Sequence, residues 1–322
     1  MAINSDRVSA LQQLGYTPRE AAFLALAALQ SGAFVARHFC DYCGTTAGPN
    51  RDAFTSKLTK FGHVLPLPTL NRTILYQIRK PVFVRLGEPD NKNRRAPADL
   101  LTRRRIMALD YVIANPDRQY LPTETDKLAY FTKDLGIAET LLPRRMYQPT
   151  SGNGAPTSRY FIEKFPVSAI PGGAALCYVD GDGSMQSFAT FLRGYRPILA
   201  TLPEAELVFV TRHPTIWLAA ESCFEKLRKA DEDTKKLDGL ELQFRERREL
   251  ESIGLAALAP VQLRRLRDLR GMPRGEFYDR WLNGGFDDLK QDALVRSRAT
   301  SLHRVRFSLS VLRCDYAFLG CA

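Results

Sequence analysis

The sequence predicts an α+β protein: a small helical unit with a strand hairpin, then a mixed sheet flanked by helices, then a helical extension. Three observations carry this. A capped amphipathic helix from Thr17 opens a run of short helices closed by two apolar segments around Leu70-Asn71-Arg72. From Leu141 the apolar residues alternate and are split by turn signals. From Asp231 the chain turns into charged helical sequence. At 322 residues there is length for more than one core. The divisions expected are 1–87, a polar linker 88–98, 99–230 and 231–322.

MAINSDRVSALQQLG reads as a short leading helix with Val8, Leu11 and Leu14 on one face. In TPREAAFLALAALQSG, Thr17 stands at the N-cap, Pro18 at the first helical position and Glu20 three residues after the cap, a capping box. Gly32 is placed to end that helix. FVARHFCDYCG is read as a second helix stopping at Gly44, and NRDAFTSKLTKFGH as a third. The third has Phe54, Leu58 and Phe61 inward and Arg51, Ser56, Lys57, Thr59 and Lys60 outward. HVLPLPT and TILYQIRKPVFVRL follow as extended runs. Three helices and a hairpin in this order make a winged helix-turn-helix, which lays its third helix in a major groove beside a basic hairpin tip. The same parts also build dimerisation and protein-docking modules.

Composition sets the class of partner. The net charge is +11, and residues 1–150 alone hold 21 Lys and Arg against 13 Asp and Glu. That bias suits phosphate neutralisation and shows a preference for anionic partners. No apolar run reaches the roughly 18 residues of a membrane helix. No basic-then-apolar leader opens the chain. Six cysteines without such a leader imply reduced thiols and a cytoplasmic setting. Within the second helix, Cys40 and Cys43 beside His38, with His63 further on, invite a zinc reading. A single CxxC inside one helix is read instead as two small buried hydrophobes. GxxxxGK[ST] and GxSxG are both missing, and the four histidines are scattered.

Beyond the linker, LLTRRRIMALDYVIANP forms a helix whose Arg103, Arg104 and Arg105 stand on a solvated or phosphate-facing side. TETDKLAYFTKDLG is a second helix, capped by Thr123 with Asp126 three residues on. LLPRRMYQP, TSRYFIEKFPVSAI and AALCYVDGD then read as a three-strand meander. SMQSFATFLRGYRPILATL is an amphipathic crossover helix, AELVFVTRHP a buried parallel strand and TIWLAAESCFEKLRKAD a further helix. This is the core order of restriction-endonuclease-like nucleases, which hold magnesium with an acid and a Glu-x-Lys on neighbouring strands. Glu163, Asp180 and Asp182 are the candidate ligands. No Lys follows two residues after either Asp, and adjacent Glu163 and Lys164 point to opposite faces of a strand. The catalytic set is incomplete, and the bland reading of Asp180-Gly181-Asp182-Gly183 is a turn.

TPREAAFLALAALQSGAFVARHF, ALCYVDGDGSMQSFATFLRGYRPIL and ELVFVTRHP together resemble the replication-relaxation family of plasmids and integrating elements, over residues 16–225. The resemblance implies an N-terminal winged helix, an endonuclease-like domain, and DNA binding in the replication, transfer or regulation of a mobile element. Where that family shows Glu-x-Asp before the helix, this chain has Tyr178-Val179-Asp180, a departure at the metal-binding position.

The last hundred residues are charged and mostly helical, with Leu263, Leu266 and Leu269 at every third place. Arg264, Arg265, Arg267 and Arg270 form a second basic patch, and Phe277, Tyr278 and Trp281 are candidates for a satellite core. SLHRVRFSLSVLRCDYAFLGCA alternates as a strand that packs back on the body. The sequence is therefore read as a DNA-binding protein without enzymatic activity or cofactor, whose partner is double-stranded DNA. Arg51, Ser56, Lys57 and Lys60 face the major groove, Arg72 the wing contact, and Arg103, Arg104 and Arg105 further phosphates. The alternatives are a magnesium-dependent nuclease using Glu163, Asp180 and Asp182, and an adaptor docking a protein through the basic C-terminal helices. A homodimer is compatible with each.

Overall fold

The computed structural model describes residues 5–91, 93, 99–147, 157–228, 232–270, 275–283, 302 and 304–320. The chain forms two compact units, residues 1–224 with 304–322, and residues 225–303. It is an α+β protein with a mixed sheet. Among the described residues no helix is long and apolar enough to cross a membrane.

The first unit opens with α1 (Ser5–Gln12) and α2 (Pro18–Gln30). The expected capping box is present: Glu20 N donates to Thr17 Oγ1 at 3.3 Å, and Thr17 N to Glu20 Oε2 at 2.8 Å. Gly32 ends the helix with φ +77°, and a Cβ there would lie 2.2 Å from the Asn93 carbonyl oxygen, so only glycine fits. The next segment corrects the sequence reading. Ala33–Val35 is strand β1 rather than the first turn of a helix, because it pairs with the hairpin strand β3 (Ile74–Ile78). Helix α3 (Ala36–Cys43) follows and stops at Gly44 as expected. Helix α4 (Pro49–Lys60) buries Phe54 and Leu58 against the core, where Phe39 stacks on Phe54 at 4.2 Å and Phe23 meets Phe34 at 5.2 Å.

Strand β2 (Val64–Pro68) pairs antiparallel with β3, giving a sheet of order β1-β3-β2. Pro66 and Pro68 lack N–H donors, which suits β2 to the edge. KPVFVR, expected to continue the second hairpin strand, is instead helix α5 (Lys80–Arg85). Pro81 cannot serve a ladder and is pre-set for a first helical turn, while Val82 and Phe83 supply the buried face.

The rest of the unit is a five-stranded sheet of order β10-β9-β8-β7-β4. Helix α6 (Asp99–Ala114) leads to the two-residue strand β4 (Gln119–Tyr120) and to α7 (Glu124–Ala129). Strands β5 (Arg144–Tyr147) and β6 (Thr157–Tyr160) form a separate two-stranded ribbon. Strands β7 (Val167–Ile170) and β8 (Gly173–Val179) then make an antiparallel pair, with β4 on the outer side of β7. The predicted meander is thus wrong in its first two members: β4 takes the place assigned to LLPRRMYQP, whose strand is exposed along its whole length, and TSRYFIEKFPVSAI is broken into β6 and β7, with Glu163 and Lys164 in the turn between them and not on a strand. Helix α8 (Met185–Thr201) crosses to β9 (Glu204–Thr211), parallel to β8. Helix α9 (Trp217–Arg228) follows. Strand β10 (Val305–Val311) lies parallel to β9, so the end of the sequence joins the central sheet and does not stay with the helical extension.

The boundary expected at residues 87–98 does not divide the first unit, because a buried ionic cluster crosses it. Asp110 of α6 is 6% exposed. Arg37 Nη1 and Nη2 donate to its two oxygens at 2.5 and 2.8 Å, and Tyr316 Oη donates to Oδ2 at 2.5 Å. His38 Nε2 lies 2.9 Å from Oδ1. Since Val35 N donates to His38 Nδ1 at 3.0 Å, the ring proton must sit on Nε2, facing the carboxylate. Burial disfavours the ionised carboxylate, but His38 and Arg37 outweigh it and hold its pKa well below the usual range.

The second unit holds α10 (Glu232–Ile253), α11 (Pro260–Arg270) and α12 (Gly275–Leu282); α10 and α11 share the apolar cluster Leu250, Leu258, Leu266 and Leu269, and α12 sets Tyr278 against Phe244 of α10. Of its expected basic patch, Arg265 pairs with Glu246 at 2.8 Å and Arg270 with Glu251 at 2.9 Å. Tyr278 is buried and stacks on Trp281 at 6.0 Å. The side chain of Phe277 lies outside the described residues.

Two outcomes follow from the buried charges. Asp110→Ala should cost roughly 3–5 kcal/mol by removing the buried acceptor shared by Arg37, His38 and Tyr316, read from urea unfolding at pH 7. The stability supplied by the native carboxylate is complete above about pH 4 and is lost as the pH falls towards its depressed native value. Lys127 behaves in the opposite sense. It is 5% exposed, its Nζ donates to the Phe165 carbonyl at 3.1 Å, and burial pulls its pKa down to about 8. The unfolded chain therefore binds the extra proton between about pH 8 and 10, and stability should rise with pH across that window. Lys127→Met should remove that rise and be no less stable at pH 7.

Candidate nucleic-acid interface

Helix α4 and the β2–β3 turn bring part of the predicted set together. The helix buries Phe54, Thr55 and Leu58, which leaves Ser56 and Lys60 exposed. Thr55 and Thr59 return their hydroxyls to the carbonyls of Arg51 and Thr55, at 3.2 and 2.9 Å, and so add nothing to the outer face. Arg51 at the first turn is held by Asp52, 2.7 Å from Nη2. Lys57 departs from its predicted role. Its Nζ lies 2.8 Å from Glu20 Oε2 and 5.1 Å from the centre of the Tyr16 ring, so it ties α4 to the start of α2. The carboxylate that closes the α2 capping box is what draws it inward.

At the hairpin tip, Asn71 and Arg72 both have positive φ, +57° and +58°, at the centre of the turn that Thr73 N closes on the Leu70 carbonyl at 3.4 Å. Arginine there, where glycine is cheaper, costs on the order of 1 kcal/mol or more. The turn holds the Arg72 side chain exposed at the tip. Arg51 and Arg72, from α4 and the turn, line one cleft of about 460 Å³ together with Thr55, Thr73 and Tyr76.

The three arginines of α6 do not make a solvated face. Arg103 Nη1 donates to the Gly181 carbonyl at 2.6 Å, and Arg104 pairs with Asp182 at 3.1 Å. Arg104 also lies 6.0 Å from the centre of the Tyr178 ring. Arg105 is half-buried, and burial lowers its pKa to about 10. The partners of Arg103 and Arg104 lie in the β8–α8 turn, 78 residues away, which a helical pattern cannot reveal.

That turn also settles where the candidate metal ligands stand. Asp180 is 3% exposed; its Oδ1 accepts from Gly183 N at 2.8 Å and its Oδ2 from the Thr211 hydroxyl at 3.1 Å. Asp182 accepts from Arg104 and from Ser184 N. Glu163 accepts from the Tyr195 hydroxyl at 2.9 Å. Each carboxylate is engaged in its own local bonding, as the turn reading expected of the aspartates. Of the zinc candidates, His38 faces Asp110 and His63 Nδ1 meets the Tyr16 hydroxyl at 2.7 Å. Among the described residues, no three His, Cys, Asp or Glu side chains converge to hold a metal ion.

No known family, curated protein or solved structure matches this chain. The reading of the site therefore rests on its own geometry. Sequence reasoning missed Arg37, Asp315 and Phe318, which also line the cleft. Asp315 and Phe318 stand far along the chain from α4 and the hairpin and left no local signal.

The β8–α8 turn is sensitive to volume. A Cβ on Gly181 would lie 2.7 Å from Arg104 Cγ and 3.3 Å from Leu100 Cδ1. Gly181→Ala should displace Arg104 from Asp182 and cost roughly 1–3 kcal/mol, seen as a lowered thermal midpoint.

Proposed function

We propose that the protein binds double-stranded DNA through a winged helix-turn-helix made of α2, β1, α3, α4 and the β2–β3 hairpin. The observation that carries this reading is the cleft that gathers Arg51 of α4 and Arg72 of the hairpin tip. In this reading Ser56 and Lys60 enter the major groove, Arg72 reaches the backbone or minor groove beside it, and Arg51 takes a phosphate at the helix start. Lys57 and the α6 arginines are left out, since their charges are used inside the fold. The basic balance of residues 1–150 favours the approach of a polyanion.

The α/β half is proposed as a non-catalytic member of the restriction-endonuclease-like order. Antiparallel β4, β7 and β8, followed across α8 by parallel β9, support that assignment. The separate engagement of Glu163, Asp180 and Asp182 argues against magnesium-dependent cutting. A narrower role, regulator or accessory factor in the replication or transfer of a mobile element, is carried by the sequence resemblance alone.

Arg72→Ala should weaken binding to all duplexes alike and flatten the salt dependence by about 0.9 in log K against log salt for the one lost phosphate. Lys60→Ala, if Lys60 reads a base, should cost about 1–3 kcal/mol on the preferred site and little on random duplex. Fluorescence anisotropy over a salt series reads both. Unchanged binding in both variants would remove α4 and the hairpin from the DNA role.

A further inference from the structure

The cleft between α4 and the hairpin has a wall that comes from far along the chain. After β10 the backbone passes Leu312 and Cys314 and turns at Asp315, whose Oδ1 accepts from Ala317 N at 2.8 Å. Tyr316 is fully buried, with its hydroxyl on Asp110 and its ring 5.8 Å from the Arg37 guanidinium. Phe318 is 7% exposed and lines the cleft. A Cβ on Gly320 would lie 3.9 Å from Leu70 Cδ1, so the segment reaches the hairpin turn itself. Tyr316 and Phe318 anchor this stretch, and Asp315, which lies between β10 and that anchor, is exposed.

Asp315 therefore lines the same cleft as Arg51 and Arg72. Arg51 already has an acidic neighbour in Asp52, and Arg37 is spent on Asp110. A carboxylate added to that wall opposes any phosphate entering the cleft, whatever the DNA sequence. Its cost falls equally on specific and non-specific complexes. The difference between the two complexes is left to the base contacts made from α4.

We propose that the 312–320 segment is part of the nucleic-acid site, and that Asp315 limits its affinity by weakening backbone binding in the cleft on every duplex alike. The proposal rests on the winged-helix reading above and assigns to it a residue that takes no part in reading bases. Asp315 is a positioning and screening group: it acts on the phosphate through its charge, and the anchored Tyr316 and Phe318 fix where that charge stands.

The test uses the full-length protein and a random-sequence duplex over a salt series. Asp315→Asn keeps an oxygen that can accept from Ala317 N and removes only the charge. It should tighten binding to random duplex about two- to fivefold at low salt, the range expected for one partly screened charge, and steepen the salt dependence. Asp315→Lys should go further in the same direction. Asp117→Asn, an exposed acid in the turn between α6 and β4 with the same change in net charge, should leave binding unchanged. If Asp315→Asn binds as the parent does while Arg72→Ala binds more weakly, the screening role is overturned and the DNA reading stands. Equal gains from Asp315→Asn and Asp117→Asn would also overturn it, by reducing the effect to net charge. If the parent protein fails to bind any duplex at low salt, the DNA reading itself is overturned.

Discussion

The buried carboxylate of Asp110 organises the first unit. It receives a two-pronged arginine and the facing edge of a histidine from α3, and a tyrosine hydroxyl from the segment after β10. An unpaired carboxylate at that depth would be strongly disfavoured, so each partner is needed for the others to stay buried. The result is that the helical unit, the sheet and the closing segment cannot be separated. The proposed recognition helix then belongs to the same compact unit as the sheet.

That packing bears on function. Helix α4 is fixed from two sides, by Phe54 and Leu58 in the aromatic core and by Lys57 on Glu20. The hairpin tip is fixed by a left-handed turn and by the neighbouring 317–320 segment. The backbones that present Arg51 and Arg72 are thus packed in place before a phosphate arrives, which favours affinity by cutting the cost of ordering them. The strain accepted at Arg72 is explained if the side chain at that position does something glycine cannot.

Local chemistry was the legible part of the sequence. Thr17 and Glu20 announced a reciprocal cap, Gly44 a helix end, and the LVFVT run a buried parallel strand, because each signal lies within one turn or one strand of its partner. Pro81 held the information that KPVFVR is helical, but the apolar run around it masked the signal. The side chains that changed roles did so through distant partners. Arg103 and Arg104 meet the β8–α8 turn, and Asp110 meets Tyr316, at separations of 78 and 206 residues. Periodicity carries no trace of such pairs. The same limit hid the wall formed by Asp315 and Phe318.

Amide hydrogen exchange with and without a random-sequence duplex at low salt tests the central claim most directly. The account predicts that the duplex slows exchange in α4 and at the hairpin turn, residues 49–60 and 69–73, and in the adjoining 312–320 segment. Slowing confined to the helices of the second unit, or to α6 and the β8–α8 turn, would contradict it.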